Sequence, residues 1–181
     1  MPPDAPQAGA APGSKREAPA GPARPEHLVV YVDGASSGNP GPAGAGAVVK
    51  DDDGTTLIEK ARAFGPATNN VAEYQSLLLG LELATTLRPR HLTIRSDSEL
   101  MVRQVAGQYR VKAPHLKPLL VQARRLLAPF DSVEIQHIPR KDNAEADALS
   151  RKALEKARRF DAELPPDARR SPASAKTFRL K

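Results

Sequence analysis

Four carboxylates in this 181-residue sequence stand where a charge is either costly or informative: Asp33, Glu73, Asp97 and Asp147. Asp33 ends the apolar run VVYVD, and a loop-forming run, GASSGNPGPAG, follows at once. A carboxylate stripped of water and left unpaired is strongly disfavoured. Asp97 ends a second such run, HLTIRSD. If these two runs are parallel neighbouring strands, both acids leave the sheet at the edge where open α/β sheets build their sites. Two close carboxylates do not both stay ionised unless a cation lies between them. Mg2+ resolves that conflict, because it takes carboxylate oxygens and keeps waters that a phosphate can replace. The chemistry implied is metal-assisted reaction at a phosphate.

Each acid also has a plainer reading. Glu73 follows Asn70 by three and could be the reciprocal partner of a helix cap. Asp97 could favour a helix N-terminus through the dipole. Asp147 could be a solvated helix charge, and Asp33 a turn-forming Asp before Gly. The four together carry more weight than any one, because two strand ends and two helix starts can converge on one sheet edge.

The elements that must position them follow from pattern. LVVYVDGA reads as a buried strand; AGAVVKD and TTLIEKARAF, either side of Asp51–Gly54, read as a hairpin. NNVAEYQSLLLGLELATTL is a helix with Asn70 as its expected cap. HLTIRSD is a strand, SELMVRQVAGQ a short helix, and Pro114 is expected to open the helix PHLKPLLVQARRLLA. SVEIQHI is a strand and NAEADALSRKALEKARR the last helix. The order β-β-β-α-β-α-α-β-α predicts an α/β fold, a mixed sheet with helices on its faces.

Composition bounds the rest. Residues 1–27 hold seven Pro, seven Ala and three Gly with no aromatic residue, so they read as a disordered leader. Residues 161–181 carry five basic and three acidic side chains among prolines and read as a basic flexible tail. That leaves 28–160 as the folded domain. A net charge of +6 suits a polyanionic partner. With no cysteine, thiol chemistry and Cys-based zinc sites are excluded, and with four histidines a His-rich metal centre is not expected. No run reaches membrane-span length, and the N-terminus lacks a secretory core, so a cytoplasmic protein without membrane contact is expected.

YVDGASSGNPGPAG, TNNVAEYQSLLLGLELA, SDSELMVRQVAGQY and NAEADALS resemble, in order, the successive motifs of type I ribonuclease H. The resemblance covers about residues 28–155. It implies the ribonuclease H-like fold, a five-stranded mixed sheet with an antiparallel second strand. It implies endonucleolytic cleavage of the RNA strand of RNA–DNA hybrids by a monomer, leaving 5′-phosphate and 3′-hydroxyl ends. The family's catalytic acids fall on Asp33, Glu73, Asp97 and Asp147, which would hold two Mg2+ ions, with Mn2+ as an alternative metal. Asn39, Asn69 and Asn70 occupy positions that read the RNA strand, and Thr68 one that contacts a DNA phosphate. Turn and cap chemistry is the other reading of the asparagines.

The sequence also departs from the family. The basic helical protrusion of many members is missing, since GQYRVKAPHLKPLL runs directly from one helix to the next. There is no Trp beside the DNA-strand channel. Arg110, Lys112, Lys117, Arg124 and Arg125 are partial substitutes, or simply a solvated face. Many members carry a mobile His before the last helix. Ungapped counting places His137 there, but the strand pattern puts it inside SVEIQHI, and a structural role is the reading adopted. Arg140 and Lys141 then become candidates for phosphate contacts. Two other functions stay open: a different nuclease on the same fold, and a non-catalytic nucleic-acid-binding protein.

Overall fold

A computed structural model describes residues 23–165 and Ala168. The expected leader lies outside the described residues up to residue 22, and the expected tail largely so beyond Pro165. The elements are β1 (His27–Ser36), β2 (Gly41–Lys50), β3 (Thr56–Ala67), α1 (Asn69–Leu87), β4 (His91–Ser96), α2 (Glu99–Val105), α3 (Lys117–Leu127), β5 (Ser132–His137) and α4 (Ala144–Glu163), with a 3₁₀ turn at Arg140–Asn143. The predicted order holds. β1 starts just before residue 28 and α4 runs just past residue 160, so both ends of the expected domain fall inside regular elements.

The sheet runs β3-β2-β1-β4-β5. β2 is antiparallel to β1 and β3, while β1, β4 and β5 are mutually parallel neighbours. Leu28, Val30 and Val32 alternate along β1 and are fully buried beneath α1. The intervening residues of β1 face the side that α4 covers. α1 is apolar around most of its girth because α3 packs on its other flank.

Three expectations on element boundaries are corrected. β2 begins at Gly41, four residues before AGAVVKD, although GPAG lacks the β-branched residues that mark strands. The strand is small because both its faces carry helices at close range: a Cβ on Gly80 of α1 would lie 2.7 Å from Val32, and one on Gly44 of β2 would lie 2.4 Å from the Leu154 nitrogen of α4. α3 becomes regular at Lys117, since Pro114–Leu116 form a turn before it. The cap of α1 is Thr68, whose Oγ1 accepts from the Val71 amide at 3.2 Å, and not Asn70.

Candidate active site

β1 and β4 are registered as far as Tyr31 and Arg95, so Asp33 and Asp97 emerge side by side two residues further on. This is the carboxyl edge of the parallel strands, as the sequence predicted. Asp33 is 5% exposed and points toward α4, where Ser150 Oγ donates to its Oδ2. Its pKa is pushed up to about 7, chiefly by burial and further by the Asp97 and Asp147 charges; only the Ser150 hydroxyl pulls it down.

Glu73 reaches the same edge from the first turns of α1. Gly34, the residue after Asp33, donates its amide to Glu73 Oε2 at 3.2 Å. The approach demands glycine, since a Cβ on Gly34 would sit 2.2 Å from the Ala72 carbonyl carbon. Glu73 is pushed up to about 9 by burial first and by Asp33 and Asp97 next, against the Gly34 amide and Arg140. With Thr68 as the cap, Glu73 is free of capping duty, and its side chain is spent on the site.

Asp97 follows β4 and accepts from Asn143 Nδ2 at 3.0 Å. Asp147 lies in the first turn of α4, held by Arg140 at 2.8 Å and by Arg151 at 2.9 Å. Its ion pairs replace the solvated-charge reading with a clamped one.

Sequence reasoning missed two residues. Asn143 is 1% exposed and ties β1 to the residue that follows β4, because its Nδ2 also donates to the Val32 carbonyl at 2.9 Å. Its Oδ1 is buried without a partner. Ser150 is fully buried on Asp33. Both were findable by spacing: Asn143 precedes Asp147 by four residues and Ser150 follows it by three, which places all three on one helical face.

Among the described residues, no three His, Asp or Glu side chains form a ready-made metal cage. The donor set nevertheless fits a hard divalent cation. Four carboxylates at one edge, two of them with pKa values raised by burial and by the neighbouring acids, gain a counter-charge if a cation enters. The orphaned Asn143 oxygen is a further unfilled acceptor at the same edge.

The residues expected to read substrate fall into two groups. Asn39, Thr68, Asn69 and Asn70 lie together: the Asn69 amide donates to Asn39 Oδ1 at 3.3 Å, and Thr68 is spent on the cap. Asn39, Asn69 and Asn70 are exposed. Arg140 turns to Asp147, whereas Lys141 lines a separate hollow with Tyr31 and Lys50 at the start of α4. His137 ends β5 beside Ser96, so it lies in the strand as read, but its side chain is exposed. From Asn70 a groove of about 520 Å³ runs past Leu100 and Gln104 to Tyr109, Arg110 and Lys112, and no acidic residue lines it. Tyr109 is 48% exposed, with the Arg103 guanidinium 5.3 Å from its ring centre.

The chain matches the family described as reverse transcriptase-like over residues 31–153. It is 44% identical over 131 residues to the bifunctional protein Rv2228c of Mycobacterium tuberculosis, a match covering 72% of this chain but 36% of that protein. The chain thus spans about a third of that relative. The N-terminal RNase H domain of the same protein superposes with a TM-score of 0.73, covering 74% of this chain and 97% of that one at 43% identity. Ribonuclease HI of Halobacterium salinarum is 42% identical over 136 residues, covering 75% of this chain and 68% of that protein. LC11-RNase H1, solved in complex with an RNA/DNA hybrid, gives a TM-score of 0.69 at 40% identity over 72% of this chain and 98% of that one. The family match across the four acids, the 42% identity to ribonuclease HI, the superposition on RNase H structures and the direct α2–α3 link place the chain in the type I ribonuclease H family, in a compact form without the basic protrusion.

Proposed function

We propose that this chain hydrolyses the RNA strand of RNA–DNA hybrids endonucleolytically. The observation that carries the reading is the convergence of Asp33, Glu73, Asp97 and Asp147 on one sheet edge, two of them with strongly raised pKa values. These four side chains would hold two divalent cations, Mg2+ or Mn2+. When bound, such ions supply an activated water and charge stabilisation at the leaving oxygen. Water adds to phosphorus, the bond to the 3′ oxygen breaks, and that oxygen takes up a proton. The ends are then a 5′-phosphate and a 3′-hydroxyl.

The chain's own residues do the binding. Asn39, Asn69 and Asn70 present exposed amides next to the acids. An amide both donates and accepts, as does the 2′-hydroxyl that distinguishes RNA from DNA. The groove from Asn70 to Lys112 offers Arg110 and Lys112 to phosphates and Tyr109 to a sugar or base face, standing in for the missing protrusion. Arg140 holds Asp147 until a phosphate arrives, and Lys141 adds positive charge from its separate hollow with Tyr31 and Lys50.

The deciding experiment incubates end-labelled RNA–DNA hybrid, double-stranded RNA, single-stranded RNA and DNA duplex with the protein, in Mg2+, Mn2+ or EDTA. The expected result is internal cleavage of the hybrid's RNA strand with either metal and none in EDTA. Cleavage of DNA duplex would instead show a different nuclease on this fold. Tight binding without turnover would show a binding protein.

A further inference from the structure

We propose that Ser150 is a positioning residue that fixes the aim of the Asp33 carboxylate for cation binding; this rests on the reading of Asp33 as a metal ligand. Ser150 is fully buried on α4. Its Oγ donates to Asp33 Oδ2 and lies 2.9 Å from the Asp147 carbonyl oxygen. A hydroxyl has one proton. Spent on the helix's own carbonyl, it would make only the local bond that Ser76 makes to the Glu73 carbonyl at 2.7 Å. Placed on Asp33, it occupies one lone pair of Oδ2 and leaves Oδ1 and a second lone pair of Oδ2 for a cation.

The hydroxyl has little freedom to be elsewhere. Gly46 of β2 is the registered partner of Asp33. A Cβ on Gly46 would fall 2.6 Å from the Ser150 backbone nitrogen and 2.4 Å from the Ala146 carbonyl oxygen, and one on Gly44 would fall 2.6 Å from the Ser150 carbonyl oxygen. The α4 backbone is therefore seated on β2 at the level of Asp33, and the position of Oγ follows from the main chain. One helix places Asp147 directly and orients Asp33 through Ser150, so the spacing of two acids from different elements is set by a single body.

The test is isothermal titration of Mn2+ alone into wild type, Ser150→Ala, Ser150→Cys and Ser76→Ala, with melting temperatures on the same samples. Losing a group that orients a ligand typically costs about 10–100-fold in metal affinity. Ser150→Ala is expected to weaken Mn2+ binding at least about tenfold, and the weak donor in Ser150→Cys to give an intermediate loss. Ser76→Ala should lower the melting temperature yet bind Mn2+ as wild type does. If Ser150→Ala does not fold, Ser150→Cys carries the same comparison. A dissociation constant unchanged in the folded Ser150 variants, or shifted equally by Ser76→Ala, overturns the positioning role alone. Wild type that binds no Mn2+ overturns both this role and the metal-ligand reading of Asp33.

Discussion

The amide that follows Asp33 donates to Glu73 at 3.2 Å, so a single peptide unit of β1 joins a strand acid to a helix acid. Both carboxyls are buried, and both bind protons far more tightly in the fold than in the unfolded chain. Their folded values of about 7 and about 9 lie above the ordinary 3.8 and 4.5. A raised carboxyl contributes stability that is complete below its unfolded value and is lost as pH climbs through its folded value. In EDTA the melting temperature should therefore fall as pH rises from 5 toward 9. Mg2+ added at pH 8 should restore it. A metal-free melting temperature that climbs between pH 5 and 8 would contradict the raised pKa values of the buried pair.

Asp33→Asn keeps the shape of the side chain and removes the charge that a hard cation needs. Hybrid cleavage should drop on the order of 10²–10³-fold, the scale for removing one electrostatic stabiliser. Hybrid binding should remain measurable, and the metal-free variant should melt above wild type at pH 8. Near-normal turnover at saturating Mg2+ would remove Asp33 from the chemistry.

Arg140 separates two roles by kinetics. If it reaches a phosphate in the complex, Arg140→Ala raises KM, and the slope of log affinity against log salt flattens by about one. Arg151 still holds Asp147 at 2.9 Å, so kcat should change little. A fall in kcat with an unchanged salt slope would show that Arg140 serves only to orient Asp147.

The groove beside Asn70 predicts a binding phenotype. Arg110→Ala combined with Lys112→Ala should weaken hybrid binding about tenfold at moderate salt and flatten the salt slope by about two. The cleavage rate at saturating hybrid should stay near wild type. Unchanged binding would assign these charges to an ordinary solvated face.

His137 is exposed at the end of β5, and a two-metal reaction does not require a histidine. His137→Ala should cut turnover less than the roughly 10²-fold that begins the range for general acid–base catalysis. Single-turnover and multiple-turnover rates decide it. A loss within that range in either regime would give His137 the mobile-loop role that ungapped counting against the family motif implies.

The acids were legible because a charge following an apolar run is physically conspicuous, and because helical spacing put Glu73 and Asp147 near helix starts; Asp33 was expected to end its strand but lies inside β1, because Gly34–Ser36 stay paired with β2. The element order was legible for the same reason: β1, β4 and the helices carry strong periodicity. GPAG at the start of β2 was not, since its strand character comes from α1 and α4 pressing on both faces and not from intrinsic preference. The α1 cap was misplaced by two residues because Thr68, Asn69 and Asn70 are all competent caps, and only the backbone decides among them. Asn143 and Ser150 were passed over because a polar residue on a helix reads as solvated until its burial is known.

β2 contributes no acid to the site, yet positions 44 and 46 decide where α4 comes to rest. In a saturation mutagenesis screen scored on activity, Gly46 would therefore appear as intolerant as the acids themselves, although it has no side chain to offer a substrate. Paired abundance and turnover scores would part the two classes. Asp33 substitutions should leave abundant but silent protein, and Gly46 substitutions should deplete the protein itself.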